Sequence, residues 1–114
     1  MAKFILIYRG EASDLADMSE DAADALLAKW ASWIEKVGPA LVDVGTPFGS
    51  GASVVDDGST GDPIALTGFS IVEADTLSGA RSLADGHPYL SEGKGNYSIE
   101  IYEMMPVPFE APTG

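Results

Sequence analysis

Lys3-Phe4-Ile5-Leu6-Ile7-Tyr8, ended by Arg9-Gly10, is an unbroken run of strand-favouring apolar residues near the amino end of the sequence. A half-exposed strand alternates polar and apolar positions, whereas a strand apolar throughout needs cover on both faces. Helices packed on one side of a sheet meet only half of that need. The remainder of the chain has to supply the helices and account for the second cover.

Polar residues 10–18 read as a loop, after which Ser19 is placed to cap a helix with Glu20 and Asp21 in its first turn. Ala22, Ala23, Leu26, Leu27, Trp30, Trp33, Ile34 and Val37 follow at the spacing of a broad helical stripe, and Gly38-Pro39 stops it. Leu41 to Val44 reads as a brief extended piece, followed by the glycine-rich crossing Gly45-Thr46-Pro47-Phe48-Gly49-Ser50-Gly51. Ala52 to Asp56 reads as a short strand, joined through Asp57-Gly58 and Gly61-Asp62-Pro63 to a return strand within Ile64 to Glu73. A second helix starts at Thr76 and ends at Gly86-His87-Pro88. The loop from Ser91 to Asn96 leads to a last strand, Tyr97 to Glu103. The proline-containing remainder reads as an extended tail over 106–114, beyond a domain spanning 1–105.

The order strand, helix, strand, strand, helix, strand is the split β-α-β arrangement of an α+β, ferredoxin-like βαββαβ fold. Right-handed crossovers put both helices on one face of a four-stranded antiparallel sheet. Alternation within the strands assigns Ile5, Ile7, Ile71, Ile99 and Ile101 to the helix side. The other side then carries Phe4, Leu6, Tyr8, Val72 and Tyr102, mixed with Ser70 and Glu100. So apolar a surface marks an interface, and a second copy packed sheet to sheet, enclosing a shared cavity, would cover it. The alternative cover is the tail, through Val107 and Phe109.

Bulk properties narrow the function. The chain has 114 residues, 46% of them hydrophobic, which is enough for one core. Six Lys and Arg against eighteen Asp and Glu give a net charge of −12, a balance that repels phosphate backbones and anionic headgroups. Nucleic-acid and membrane-surface binding are therefore not expected. The sequence has no cysteine, so disulfides, thiol catalysis and cysteine zinc sites are excluded. Neither a signal peptide nor an apolar run of the ~18 residues a spanning helix needs is present, and a cytoplasmic location is expected.

The segments Lys3 to Gly10, Ala28-Lys29-Trp30-Ala31-Ser32-Trp33, Gly68-Phe69-Ser70-Ile71-Val72-Glu73-Ala74-Asp75, Gly86-His87-Pro88 and Ser98-Ile99-Glu100-Ile101 resemble the YCII-related family over residues 1 to about 105. That resemblance implies a ferredoxin-like fold paired into a dimeric α/β barrel, hence a homodimer. One branch of the family pairs a histidine on the first helix with an aspartate just before the proline that ends the second helix. Here the first helix carries Trp30 and Trp33 but no histidine, and His87 itself precedes Pro88. Asp85 lies two residues before His87, so the dyad does not carry over.

His87 is the foremost candidate for proton transfer, because an imidazole titrates near neutrality; as a bland alternative it caps the second helix or fills a surface turn. Glu100 is the second catalytic candidate, either a buried acid on the cavity face or a rim carboxylate near Arg9 or Lys3. Tyr8, Trp33, Phe48, Ser70 and Tyr102 are candidates for ligand binding, with aromatic packing as the plain account of the rings. Of the two tryptophans, Trp30 is expected in the core with Leu26 and Leu27, leaving Trp33 at a ligand entrance or shielded at the domain edge. The 45–51 stretch reads as a lip over a pocket, without the lysine or spacing of a phosphate loop. A single histidine makes metal ligation a weak signal, and no cofactor is implied. The reading is a binder of a small organic ligand, extending to cofactor-free acid–base chemistry of isomerase, lyase or hydrolase type. The alternative is a non-catalytic ligand-binding or assembly module; a cofactor-independent monooxygenase rests on likeness of fold alone.

Overall fold

The computed structural model describes residues 1–10, 19–90 and 95–106. The expected loops and tail fall largely on 11–18, 91–94 and 107–114, which lie outside the described residues, as does the suggested cover by Val107 and Phe109.

Strand β1 (Ala2–Arg9) is followed by helix α1 (Glu20–Val37), a 3-10 turn over Gly38–Ala40 and strand β2 (Leu41–Asp43). Strands β3 (Ser53–Val54) and β4 (Thr60–Gly61) precede the long strand β5 (Leu66–Ala74). Helix α2 (Leu77–Leu83), a 3-10 turn over Pro88–Leu90 and strand β6 (Ser98–Met104) complete the described chain. The main sheet has the order β2-β5-β1-β6, and β1 runs antiparallel to both β5 and β6. This is the expected four-stranded antiparallel sheet with two helices.

Both helix starts are fixed by the residues expected to cap them. The Ser19 hydroxyl accepts from the Ala22 N–H at 3.1 Å and the Thr76 hydroxyl from the Gly79 N–H at 3.0 Å. Each satisfies one of the amides that a helix leaves without an internal partner.

The edge strand differs from expectation. The sheet takes Leu41–Asp43, and the 52–56 segment instead forms a separate two-stranded hairpin with Thr60–Gly61. The glycine-rich crossing is tied to β5, with the Phe48 N–H donating to the Thr67 carbonyl at 2.8 Å and Pro47 bridging to Gly68. These bonds extend the sheet edge past β2 and tie the middle of the expected lip, Pro47 and Phe48, to β5.

The assignment of sheet faces is also corrected. Phe4, Leu6, Tyr8, Ser70 and Val72 are buried in the core, whereas Ile5, Ile7 and Ile71 are half-buried on the face away from it. Ile99 and Ile101 pack against the core as expected. Register explains the arrangement: Leu6 faces Ser70 and Tyr8 faces Gly68 on β5, while Ile101 and Ile99 lie opposite them on β6. The small residues of β5 turn inward because the helix layer brings bulky rings to that side. A Cβ on Gly68 would stand 3.4 Å from the Tyr8 ring and 3.0 Å from the Thr46 carbonyl oxygen, so glycine leaves the tyrosine its room.

The tryptophans also differ from expectation. Trp33 is 2% exposed and belongs to the core, while Trp30 is half-buried against it and Leu27 is largely exposed. Among the described residues, no helix is long and apolar enough to cross a membrane.

Candidate functional site

The strongest cluster of chemistry-bearing side chains lies where β1, β5, α1 and the turn after α2 meet. α2 ends in Ala84, and Gly86, at φ 75°, reverses the chain into Pro88. The αL region costs glycine little. Two bonds from α1 hold this turn: Trp33 Nε1 donates to the Leu83 carbonyl at 2.9 Å, and Lys36 Nζ to the Asp85 carbonyl at 2.7 Å. His87 is thereby pressed into the core at 1% exposure.

Its ring is walled by aromatics. Trp33 lies 4.3 Å from it and Trp30 4.5 Å, between ring centres, with Tyr8 at 5.0 Å. The two imidazole nitrogens are both engaged. The Tyr89 N–H donates to Nδ1 at 3.0 Å, and Nε2 lies 3.1 Å from the Tyr8 hydroxyl. From there the Tyr8 hydroxyl reaches Ser70 Oγ at 2.6 Å, and Ser70 donates to the Val44 carbonyl at 2.7 Å.

The direction of this chain is fixed from both ends. An amide can only donate, so Nδ1 accepts and the neutral ring carries its proton on Nε2. A carbonyl can only accept, so the Ser70 proton is spent on Val44 and Ser70 must accept from Tyr8. Tyr8 in turn accepts from His87 Nε2. Three side chains therefore form one oriented file of donors, His87 to Tyr8 to Ser70.

Burial among rings disfavours charge on every member. Desolvation pushes the His87 imidazole down to about 4, and it pushes the Tyr8 hydroxyl up to about 12 against the opposing pull of its bond to Ser70. Tyr89 is raised as well, chiefly by burial, while its bond to Thr67 pulls the other way. At neutral pH the file is uncharged.

The sequence-derived candidates separate across the sheet. His87, Tyr8, Ser70 and Trp33 come together on the helix side. Glu100, Tyr102 and Phe48 do not join them. Glu100 and Tyr102 lie opposite Ile7 and Ile5 on the open face, and Phe48 stacks on Phe69 with ring centres 5.9 Å apart. Glu100 takes the plainer of its two expected roles, half-exposed with its carboxylate 4.0 Å from the Arg9 guanidinium. Tyr102 is 63% exposed. The cap role weighed for His87 does not occur, since its ring bonds Tyr8 and Tyr89 rather than the last carbonyls of α2.

Sequence reasoning missed Tyr89. Its amide sets the tautomer of His87, and its ring packs 5.2 Å from that of Tyr8. The available signal was its position two residues after a histidine in a glycine–proline turn. Also missed was a surface pocket of about 490 Å³ between α1 and this turn, lined by Lys29, Ser32, Trp33, Lys36, Gly86 and Pro88. Among the described residues, no three histidine or carboxylate side chains gather in a way that could hold a metal ion.

The family model for the YCII-related domain matches residues 1–107. A comparison with curated proteins finds no match. Among solved structures, the fold is similar to that of 5-chloro-2-hydroxyhydroquinone dehydrochlorinase (TftG) from Burkholderia phenoliruptrix AC1100, in complex with 2,5-dihydroxybenzoquinone. The TM-score is 0.55 at 17% identity, covering 90% of this chain and 93% of that one.

Proposed function

The chain belongs to the YCII-related family, and we propose that it binds a small organic ligand and performs cofactor-free acid–base chemistry through His87, Tyr8 and Ser70. The observation that carries this reading is the oriented hydrogen-bond file, in which a single histidine has a tautomer fixed by the Tyr89 amide on one nitrogen and by the Tyr8 and Ser70 hydroxyls on the other. Strongly displaced titration within a cluster of rings is what functional sites tend to show. In the closed core the imidazole is a weak base. Negative charge on a ligand drawn against it raises its proton affinity toward the working range. The ligand's proton then adds at Nδ1 in place of the bond from the Tyr89 amide and returns to the ligand from the same atom, while Tyr8 and Ser70 hold the Nε2–H. The dehydrochlorinase of similar fold acts on a chlorinated, hydroxylated ring, which makes hydroxylated aromatics and organic acids sensible first probes.

A homodimer and a cytoplasmic location belong to the same reading. The face away from the helices sets Phe69, Ile7 and Glu100 in one cross-strand row and Ile71, Ile5 and Tyr102 in the next. Such an apolar centre flanked by charges suits an isologous contact with a second copy, in accord with the pairing that the family resemblance implies.

A second reading is favoured by one observation. Among the described residues every buried side-chain polar atom has a partner, so the core is complete without a ligand, as a non-catalytic binding or assembly module would have it. NMR titration of the His87 ring, alone and with hydroxylated aromatics and organic acids, separates the two. A value that rises from about 4 when a ligand binds supports the enzyme. A titration indifferent to all of them leaves the module.

A further inference from the structure

In a chain with eighteen acidic residues and only six Lys and Arg, two of the lysines line one pocket. Lys29 and Lys36 are seven residues apart on α1, about two turns or roughly 10.5 Å along the axis, and Trp33 lies between them on the same face. Lys36 is held in place, its ammonium donating to the Asp85 carbonyl at 2.7 Å. An ammonium has three donors, so two stay available to a ligand. Among the described residues neither lysine is paired with a carboxylate; Arg9 and Glu100 make the one ion pair there. Ala28, Ser32, Trp33, Gly86 and Pro88 line the space between them, Trp33 and Pro88 being buried.

We propose that this pocket binds a small dicarboxylate, one carboxylate on Lys29 and the other on Lys36. Separated cations match an anion with charge at both ends better than one with charge at a single end. His87 does not line the pocket, yet Trp33 touches both. The site therefore stands whether or not the histidine is catalytic.

Calorimetry on the full chain with terephthalate, benzoate and neutral benzamide tests this, with the Trp33 indole N–H followed by NMR to locate binding. Terephthalate is expected to bind saturably, more tightly than benzoate and more weakly as salt rises, and to shift the Trp33 signal. Both lysines are exposed and are replaced singly in Lys29→Met and Lys36→Met. Since Lys36→Met also removes the bond to the Asp85 carbonyl, the ligand-free Trp33 signal of each variant is compared with the parent's to show that the turn is kept. Each is expected to weaken binding about fivefold, the scale of an exposed charge pair, and the double variant more than either. Lys3→Met, which removes an equal charge from β1, should leave affinity unchanged. Absence of saturable binding, equal binding of benzamide, or a double variant as tight as the parent would overturn the assignment. So would a Lys3→Met variant that loses as much affinity as the pocket variants.

Discussion

The Nε2 atom of His87 lies 3.1 Å from the Tyr8 hydroxyl, joining residues 79 apart in sequence at the centre of the core. Strand β1 supplies the hydroxyl and the turn after α2 supplies the ring, so this one bond links the first strand to the second helical unit. Because the Tyr89 amide occupies the other nitrogen, the imidazole is uncharged as folded. Charging it is costly, and that cost appears as pH-dependent stability.

The sign follows from where the proton binds. Burial holds His87 at about 4 in the folded chain against 6.5 for the free side chain, so the unfolded chain takes up the proton first as pH falls. The stabilisation is complete above 6.5, declines as pH drops toward 4 and is gone below it, amounting to ~3 kcal/mol. Neutralising the acidic surface acts in the opposite direction over the lower part of that window. The comparison is therefore between the parent and His87→Gln in denaturant unfolding at successive pH values. The parent should lose its advantage across this window, and parallel curves would place the histidine outside the core's titration.

Tyr8→Phe removes the middle of the file while keeping the ring. His87 Nε2–H is left buried without an acceptor, at about 1–3 kcal/mol, whereas Ser70 retains its bond to the Val44 carbonyl. Ser70→Ala should then cost less in the Tyr8→Phe background than in the parent, because the bond it would break has already gone. Chemical unfolding of the four proteins measures the coupling. Strictly additive losses would show that the hydroxyls do not act as a unit.

Which of these features the sequence discloses depends on how many local signals agree. In α1 the cap, the first-turn acids, the apolar stripe and the glycine–proline stop all point one way, and the helix forms where they place it. Strand β1 is apolar at every position, so alternation alone cannot say whether Phe4, Leu6 and Tyr8 or Ile5 and Ile7 meet the helices. The choice is made by β5, whose Gly68 leaves room for the Tyr8 ring and whose Ser70 meets its hydroxyl. That is a fact of volume between strands distant in sequence. Ala52 to Asp56 looked more like an edge strand than Leu41 to Val44, yet Leu41–Asp43 follows directly on the turn closing α1 and reaches β5 first. His87 was legible as a residue with unusual potential. Its partners were not, since Tyr8, Ser70 and the Tyr89 amide meet it only through the tertiary fold.

The corrected faces move the interface argument onto different residues, and those residues supply its test. Ile71 sits at the middle of the open face, half-buried, beside Ile5 and across from Tyr102. A charge there is tolerated in an isolated chain, because the side chain is not part of the core. In a sheet-to-sheet pair the same charge would be desolvated without a partner, and by two-fold symmetry the penalty would arise twice. Ile71→Lys is preferred to an acidic substitution, since it lowers the net negative charge and a loss of association could not be assigned to added repulsion between acidic surfaces. Sedimentation analysis should find the parent as a dimer and Ile71→Lys as a folded monomer. Leu77→Lys, at an exposed position on α2, should leave the dimer intact. A parent that sediments as a monomer, or a dimer indifferent to lysine at position 71, would remove the open face as the contact and leave Ile5, Ile7 and Ile71 without a partner of this kind.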